Sequence, residues 1–190
     1  MKKEDGPSAG SRKELFIPLI FSAAVIILDQ LTKQLVVANI PAWSVGAEFF
    51  GGAFRIIHVY NPGAAFSLGS GLSRSLRGIV FGLLPVAVLA VILRVYFRNR
   101  EFTRLQRWCI AGIIGGGAGN LIDRFFRPEG VVDFLDVRVY GFLGFERWPT
   151  FNLADSAIVV CGIVIICSFI RQFLAEAKEN RNAGKTDKTE

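Results

Sequence analysis

Residues 151–173, FNLADSAIVVCGIVIICSFIRQF, decide the fold: Asn152 and Asp155 open a run of apolar residues that ends at Arg171. A bilayer-spanning helix needs about 20 predominantly apolar residues, so this stretch reads as a membrane span with polar groups at one end. Working outward, three more apolar stretches stand at 15–40, 78–97 and 107–122. The chain as a whole has 190 residues, 52% hydrophobic and 20% charged, with a mean hydropathy of +0.42. Those values exclude an ordinary soluble domain, a disordered chain and a fibrous repeat. The third stretch is the weakest, because residues 108–122 include Gly112, Gly115, Gly116, Gly117 and Gly119. A packed membrane helix uses such glycines to bring backbones together. Pro18 and Pro85 fall inside spans, where neighbouring helices absorb the lost hydrogen bond.

The expected fold class is therefore an all-α integral membrane protein of four transmembrane helices. A small extracytoplasmic β-sheet comes from the first outer loop, where residues 49–60, FFGGAFRIIHVY, read as a short strand pair against the membrane surface. Residues 72–77 suggest a short surface helix. The division expected is 1–14 as a cytoplasmic tail, 15–173 as the membrane domain, and 174–190 as a charged, disordered cytoplasmic tail. The first apolar run lacks a small-residue cleavage site and reads as a retained span.

The formal charge is +6, and the basic residues lie mostly beside the apolar runs, which favours a membrane surface over nucleic acid as partner. The head, the second loop, the tail and the adjoining span ends carry 13 Lys and Arg, whereas the two longer loops, 41–77 and 123–150, carry seven. Positive-inside reasoning places both termini in the cytoplasm and both long loops outside. Cys109, Cys161 and Cys167 all lie in apolar segments and behave as small hydrophobes, with no disulfide framework or metal-ligand spacing.

Ionisable and amide groups at membrane depth are costly unless paired, so their placement is informative. Asp29 and Lys33 are four apart on one helix face; Asn120, Asp123 and Arg124 occupy i, i+3, i+4 at the outer end of the third span. Asn152 and Asp155 are three apart at the outer start of the fourth, Asp133 sits in an outer loop among apolar residues, and Asn61 lies in the first loop. All of these converge near the outer surface. Simpler roles exist for each. Asp29 with Lys33 can be a structural ion pair, Asn152 a helix cap, and Asp155 a carboxylate favoured by the helix dipole. His58, the only histidine, reads as a surface or packing residue, which counts against Ser-His and Cys-His hydrolases. The chemistry left is a carboxylate pair acting on water, one ionised and one protonated, which suits peptide hydrolysis. A small proton-coupled transporter or channel, or a non-catalytic assembly subunit, are the rival readings. A transporter should continue its polar residues into the cytoplasmic half, and spans two and four lack them there.

With DQLTK at 29–33, NPGAAF at 61–66, GGGAGNLIDR at 115–124, VVDF at 131–134 and FNLADS at 151–156 in order, the chain resembles the bacterial lipoprotein signal peptidases, or signal peptidase II. The resemblance implies a four-span membrane aspartic endopeptidase whose outer-loop strands cradle the substrate. It would remove the signal peptide of a diacylglyceryl-modified prolipoprotein just before the lipidated cysteine. It assigns Asp133 and Asp155 as catalytic, with Asp29, Lys33, Asn61, Gly63, Asn120, Asp123, Arg124 and Asn152 as supporting or substrate-binding residues. It implies no metal and no cofactor; the partners are the lipid-modified substrate and membrane lipid, no nucleic acid, and the protein acts as a monomer in the inner membrane.

Overall fold

The computed structural model describes residues 12–63, 76 and 78–186. The surface helix expected over 72–77 lies outside these residues, except Leu76. The chain runs through α1 (Arg12–Asn39), β1 (Ser44–Phe49), β2 (Phe54–Asn61) and a π-helical turn (Ile79–Leu83) that leads into α2 (Leu84–Arg98). It continues with α3 (Arg104–Phe126), β3 (Val131–Val137) and α4 (Leu153–Thr186).

Among the described residues, three helical segments are long and apolar enough to cross a membrane: Leu15–Asn39, Ile79–Arg98 and Leu153–Glu179. Their apolar residues stay largely exposed within the protein, as helices facing lipid require. This is an integral membrane protein. The helix over the third stretch, α3, is the exception: it carries Arg104, Arg107, Asp123 and Arg124, and most of its side chains are buried. It is the axle against which α1, α2 and α4 pack. Glycine makes this possible. A Cβ on Gly115 would stand 2.8 Å from the Ser22 carbonyl of α1, and one on Gly116 would meet the Ala154 carbonyl of α4, so no larger residue permits either approach. Thr103 caps α3, accepting from the Gln106 amide at 3.3 Å while the Gln106 side chain accepts from the Thr103 amide at 3.0 Å.

Two expectations need correction at the sheet. The strand pair is longer than 49–60, since β1 begins at Ser44 and only its last residue falls in that window. The sheet also takes its third strand from the second outer loop: VVDFLDV over Val131–Val137 pairs antiparallel with β2, giving the order β1-β2-β3. Its apolar residues do not alternate, because Asp133 and Asp136 stand three apart, so the stretch reads as loop until its partner is seen. A bulge in β2 between Ile56 and Val59 shifts the register opposite Leu135 and Asp133. Beyond β3 the chain turns back, with bridges Arg138↔Arg147 and Leu135↔Phe151 covering the strand's second edge before α4 starts. Val132 and Phe134 pack on Val36 of α1, seating the sheet on that helix end. The tail is also corrected: α4 continues to Thr186 rather than dissolving after Ala175, because AEAKEN is rich in helix formers.

Candidate active site

Asp133 and Asp155 arrive from two different elements, and asparagines join them. Asp133 lies on β3 and not on an irregular loop, as the sequence suggested. Asn152 caps α4: its Oδ1 accepts from the Asp155 amide at 2.9 Å, and its own amide donates back to Asp155 Oδ2 at 3.2 Å. The same side chain donates through Nδ2 to Asp133 Oδ1 at 2.7 Å. Asn120 on α3 donates to Asp155 Oδ1 at 2.7 Å, and Asn61 at the end of β2 donates to Asp133 Oδ2 at 3.0 Å. The cap expected of Asn152 is thus real, and it is also the bridge between the carboxylates. Gly63 follows at φ +108°, a conformation that favours glycine, and its amide donates to Asn61 Oδ1 at 3.0 Å. A Cβ there would stand 2.5 Å from the Phe81 ring.

Behind this layer sits a fully buried ion cluster. Lys33 Nζ lies 2.7 Å from Asp29 and 3.0 Å from Asp123, and donates to Asn120 Oδ1 at 2.9 Å. Asp29 in turn accepts from the Ala154 amide at 3.0 Å, and Asp123 from the Val132 amide at 3.1 Å. One cluster therefore ties α1 and α3 to the first turn of α4 and the start of β3. Removing a member would leave an uncompensated buried charge, at a cost of about 3–5 kcal/mol.

Burial pushes the Asp133 carboxyl up to about 7; the hydrogen bond from Asn61 opposes this, the negative charge of Asp155 adds to it, and Asn152 and Lys33 oppose it again. A carboxylic acid that keeps its proton near neutrality stands beside a second carboxylate at a helix N-terminus. Such a pair can take a proton from water and give one to a substrate oxygen.

A cavity of about 870 Å³ opens beside the two aspartates. Asn61, Gly63, Arg124, Asp133 and Asp155 line it, with Tyr60, Phe81 and Trp148 as aromatic walls and Val159 and Val160 on the exposed flank of α4. Arg124 is partly buried within electrostatic reach of Asp155, Asp133 and Asp123, whose charges favour its own. It forms no close ion pair among the described residues, and its buried Nε has no hydrogen-bond partner, although the residue lines the cavity. The residue that does pair with Asp123 is Arg127, at 3.0 Å. Sequence reasoning passed over Arg127 although its i, i+4 spacing from Asp123 signals it. Gln30, which donates to Gly119 O at 3.0 Å and Asp123 at 3.2 Å, was likewise missed. Of the two roles read for His58 the structure shows packing: it is buried, with Nδ1 2.7 Å from the Ile40 carbonyl and its ring against Tyr60.

At the opposite end of the bundle Gln106 bonds Ser168 at 3.2 Å and Gln172 at 2.8 Å. These polar residues of α4 were not anticipated there, but they close on one another instead of continuing a path. Among the described residues no group of His, Cys, Asp and Glu could hold a metal ion.

A family model described as Signal peptidase (SPase) II matches residues 21–171. The lipoprotein signal peptidase of Treponema pallidum is 51% identical over 161 residues, covering 85% of this chain and 87% of that protein. That of Treponema denticola is 48% identical over 168 residues, with 88% and 96% covered, and that of Borrelia duttonii 44% over 156, with 82% and 91%. A solved bacterial membrane enzyme shares the fold at a TM-score of 0.70 and 24% identity, over 83% of this chain and 89% of its own. Together with the apolar helices, these matches define an integral membrane protease. The chain belongs to the signal peptidase II family.

Proposed function

We propose that the chain is an aspartic endopeptidase that removes the signal peptide from diacylglyceryl-modified prolipoproteins, cutting just before the lipidated cysteine. The observation that carries this reading is the pair Asp133 and Asp155, joined through Asn152 at the wall of a cavity that reaches the exposed flank of α4. The relatives named lipoprotein signal peptidase support the substrate class.

In the reaction, ionised Asp155 takes a proton from water as its oxygen attacks the scissile carbonyl. Protonated Asp133 gives its proton to the carbonyl oxygen. The tetrahedral adduct then collapses as the C–N bond breaks: Asp155 passes the proton taken from water to the leaving amine and Asp133 recovers a proton from the adduct's hydroxyl, which restores both carboxyl groups with no covalent enzyme intermediate. Asn61, Asn120 and Asn152 orient the two carboxyl groups, and Arg124 supplies a donor to the substrate backbone. Asp29, Lys33 and Asp123 hold the elements in register. Gly63 turns the chain beside the cavity.

All four helices cross the bilayer in this reading, α3 shielded by the other three, with both termini cytoplasmic and the aspartates near the outer face of the inner membrane. The charge asymmetry of the loops supports that orientation. The protein acts as a monomer, with membrane lipid and the lipidated substrate as partners and no cofactor. The test compares purified wild-type protein on a diacylglyceryl-modified prolipoprotein and on its unmodified form at subsaturating concentration. Cleavage of the lipidated form alone, or at least 10-fold faster, is expected; equal rates would overturn the substrate assignment.

A further inference from the structure

Outside the site, the structure holds a second buried charge cluster, on the opposite face of β3. Asp136 is three residues beyond Asp133 on a strand whose side chains alternate, so the two carboxylates point to opposite faces. Asp136 is 2% exposed and is held by two guanidinium groups. Arg55 on β2 meets its Oδ2 at 2.6 Å, and Arg147 donates from Nε to both of its oxygens at 2.8 Å. Arg147 also donates from a terminal nitrogen to Gly52 O at 3.0 Å, in the turn between β1 and β2. One carboxylate thus fastens β2, β3, the β1–β2 turn and the returning segment to one another.

The returning segment is what makes this arrangement functional. Immediately after Arg147 come Trp148, Pro149, Thr150 and Phe151, all of which line the cavity, and then Asn152, the bridge between the aspartates. The cavity has two ends about the aspartates. Val159 and Val160 extend it along α4 toward the lipid-facing flank, four and five residues past Asp155, roughly 6–8 Å at helical rise. Val137, Val139 and Trp148 extend it along the sheet, with Val137 four residues past Asp133, roughly 13 Å along a strand. A signal peptide and acyl chains are apolar and remain in hydrocarbon, at the α4 end. The chain that follows the cysteine must leave the bilayer, and the sheet end is the way out.

We propose that Arg55, Asp136 and Arg147 form a brace whose task is to position the wall at Trp148 as a subsite for the first residues after the lipidated cysteine. These are positioning residues: none of them lines the cavity. The proposal rests on the peptidase reading above and adds to it which side of the scissile bond the sheet reads.

Two synthetic substrates test it, identical through the signal peptide and the diacylglyceryl cysteine. One ends at that cysteine as an amide, and the other continues for five residues. Wild-type protein should show a KM about 10-fold lower for the longer one. Asp136→Asn should raise that KM about 10-fold, to the value of the short substrate, while the short substrate's KM and both kcat values stay within twofold. Trp148→Ala, which alters the wall and leaves the brace intact, should raise the long substrate's KM in the same way and decides the matter should Asp136→Asn fail to fold. Equal changes for both substrates, a fall in kcat alone, no change in folded variants, or no preference in the wild type would each overturn the brace proposal. Cleavage of neither substrate by the wild type would overturn the peptidase reading itself, and the brace falls with it.

Discussion

Replacing Asp133 by Asn should inactivate the protein and yet stabilise it at pH 8. In the folded protein the carboxyl is pushed from 3.8 up to about 7, so the folded state holds a proton that the unfolded chain has already lost across that window. A raised carboxyl pKa means that stability is highest below the unfolded value and falls as pH rises through the folded one. Three pKa units correspond to about 4 kcal/mol, lost from the wild type between roughly pH 4 and pH 8. The amide carries no such cost, but it has only one acceptor oxygen, and the wild-type carboxyl accepts from both Asn152 at 2.7 Å and Asn61 at 3.0 Å. One of these bonds is lost, at about 1–3 kcal/mol. The balance makes Asp133→Asn about 1–3 kcal/mol more stable than wild type at pH 8 and about 1–3 kcal/mol less stable at pH 4. For a chain of this size that is a shift of several degrees in Tm, with a change of sign between about pH 4.5 and pH 6. Thermal unfolding of both proteins in the same detergent from pH 4 to pH 8 measures it. Parallel stability curves with no crossing would refute the argument that burial keeps this carboxyl protonated.

Lys33→Met should cost about 3–5 kcal/mol of stability, because Asp29 would stay buried without a cation and Asp123 would keep only Arg127; a loss below about 1 kcal/mol in thermal unfolding would contradict the cluster. Arg124→Ala should lower kcat/KM about 10- to 100-fold through the lost substrate contact, with a smaller loss of stability from removing the cation that faces Asp155, Asp133 and Asp123. A large drop in Tm with unchanged turnover would reverse that assignment. For orientation, a single cysteine at Glu146, with Cys109, Cys161 and Cys167 replaced by Ser, should react with an impermeant reagent in intact cells. Reaction only after the inner face is opened would invert the topology.

The helical half of the fold was legible because hydrocarbon imposes a simple rule on composition, and three of the four stretches obey it. Spacing also told which polar residues share a face: Asp29 and Lys33 meet at 2.7 Å, as four residues on a helix dictate. The glycines of α3 were legible as close-packing positions, and Gly115 and Gly116 bear this out; what could not be read was that its charges mark a buried central helix. Nor did VVDFLDV announce a strand, because Asp133 and Asp136 fall on opposite faces and leave no clean alternation, and its register is set by β2, some 70 residues earlier in the chain. Arg124 shows the limit of face arguments. It shares a face with Asn120 by spacing, yet a long side chain at a helix end can turn to the cavity while Asp123 finds Arg127 instead.

The proposed reaction depends on two carboxylates acting on water. Single-turnover cleavage of a diacylglyceryl-modified prolipoprotein by wild type, Asp133→Asn and Asp155→Asn, each with and without a metal chelator, tests it. The wild type should cleave equally well in both conditions, and each Asn variant, still folded, should be slower by about 10³-fold or more, since losing either partner removes a proton transfer. A variant that retained activity within about 10-fold of wild type, or a wild-type rate abolished by the chelator, would contradict the account.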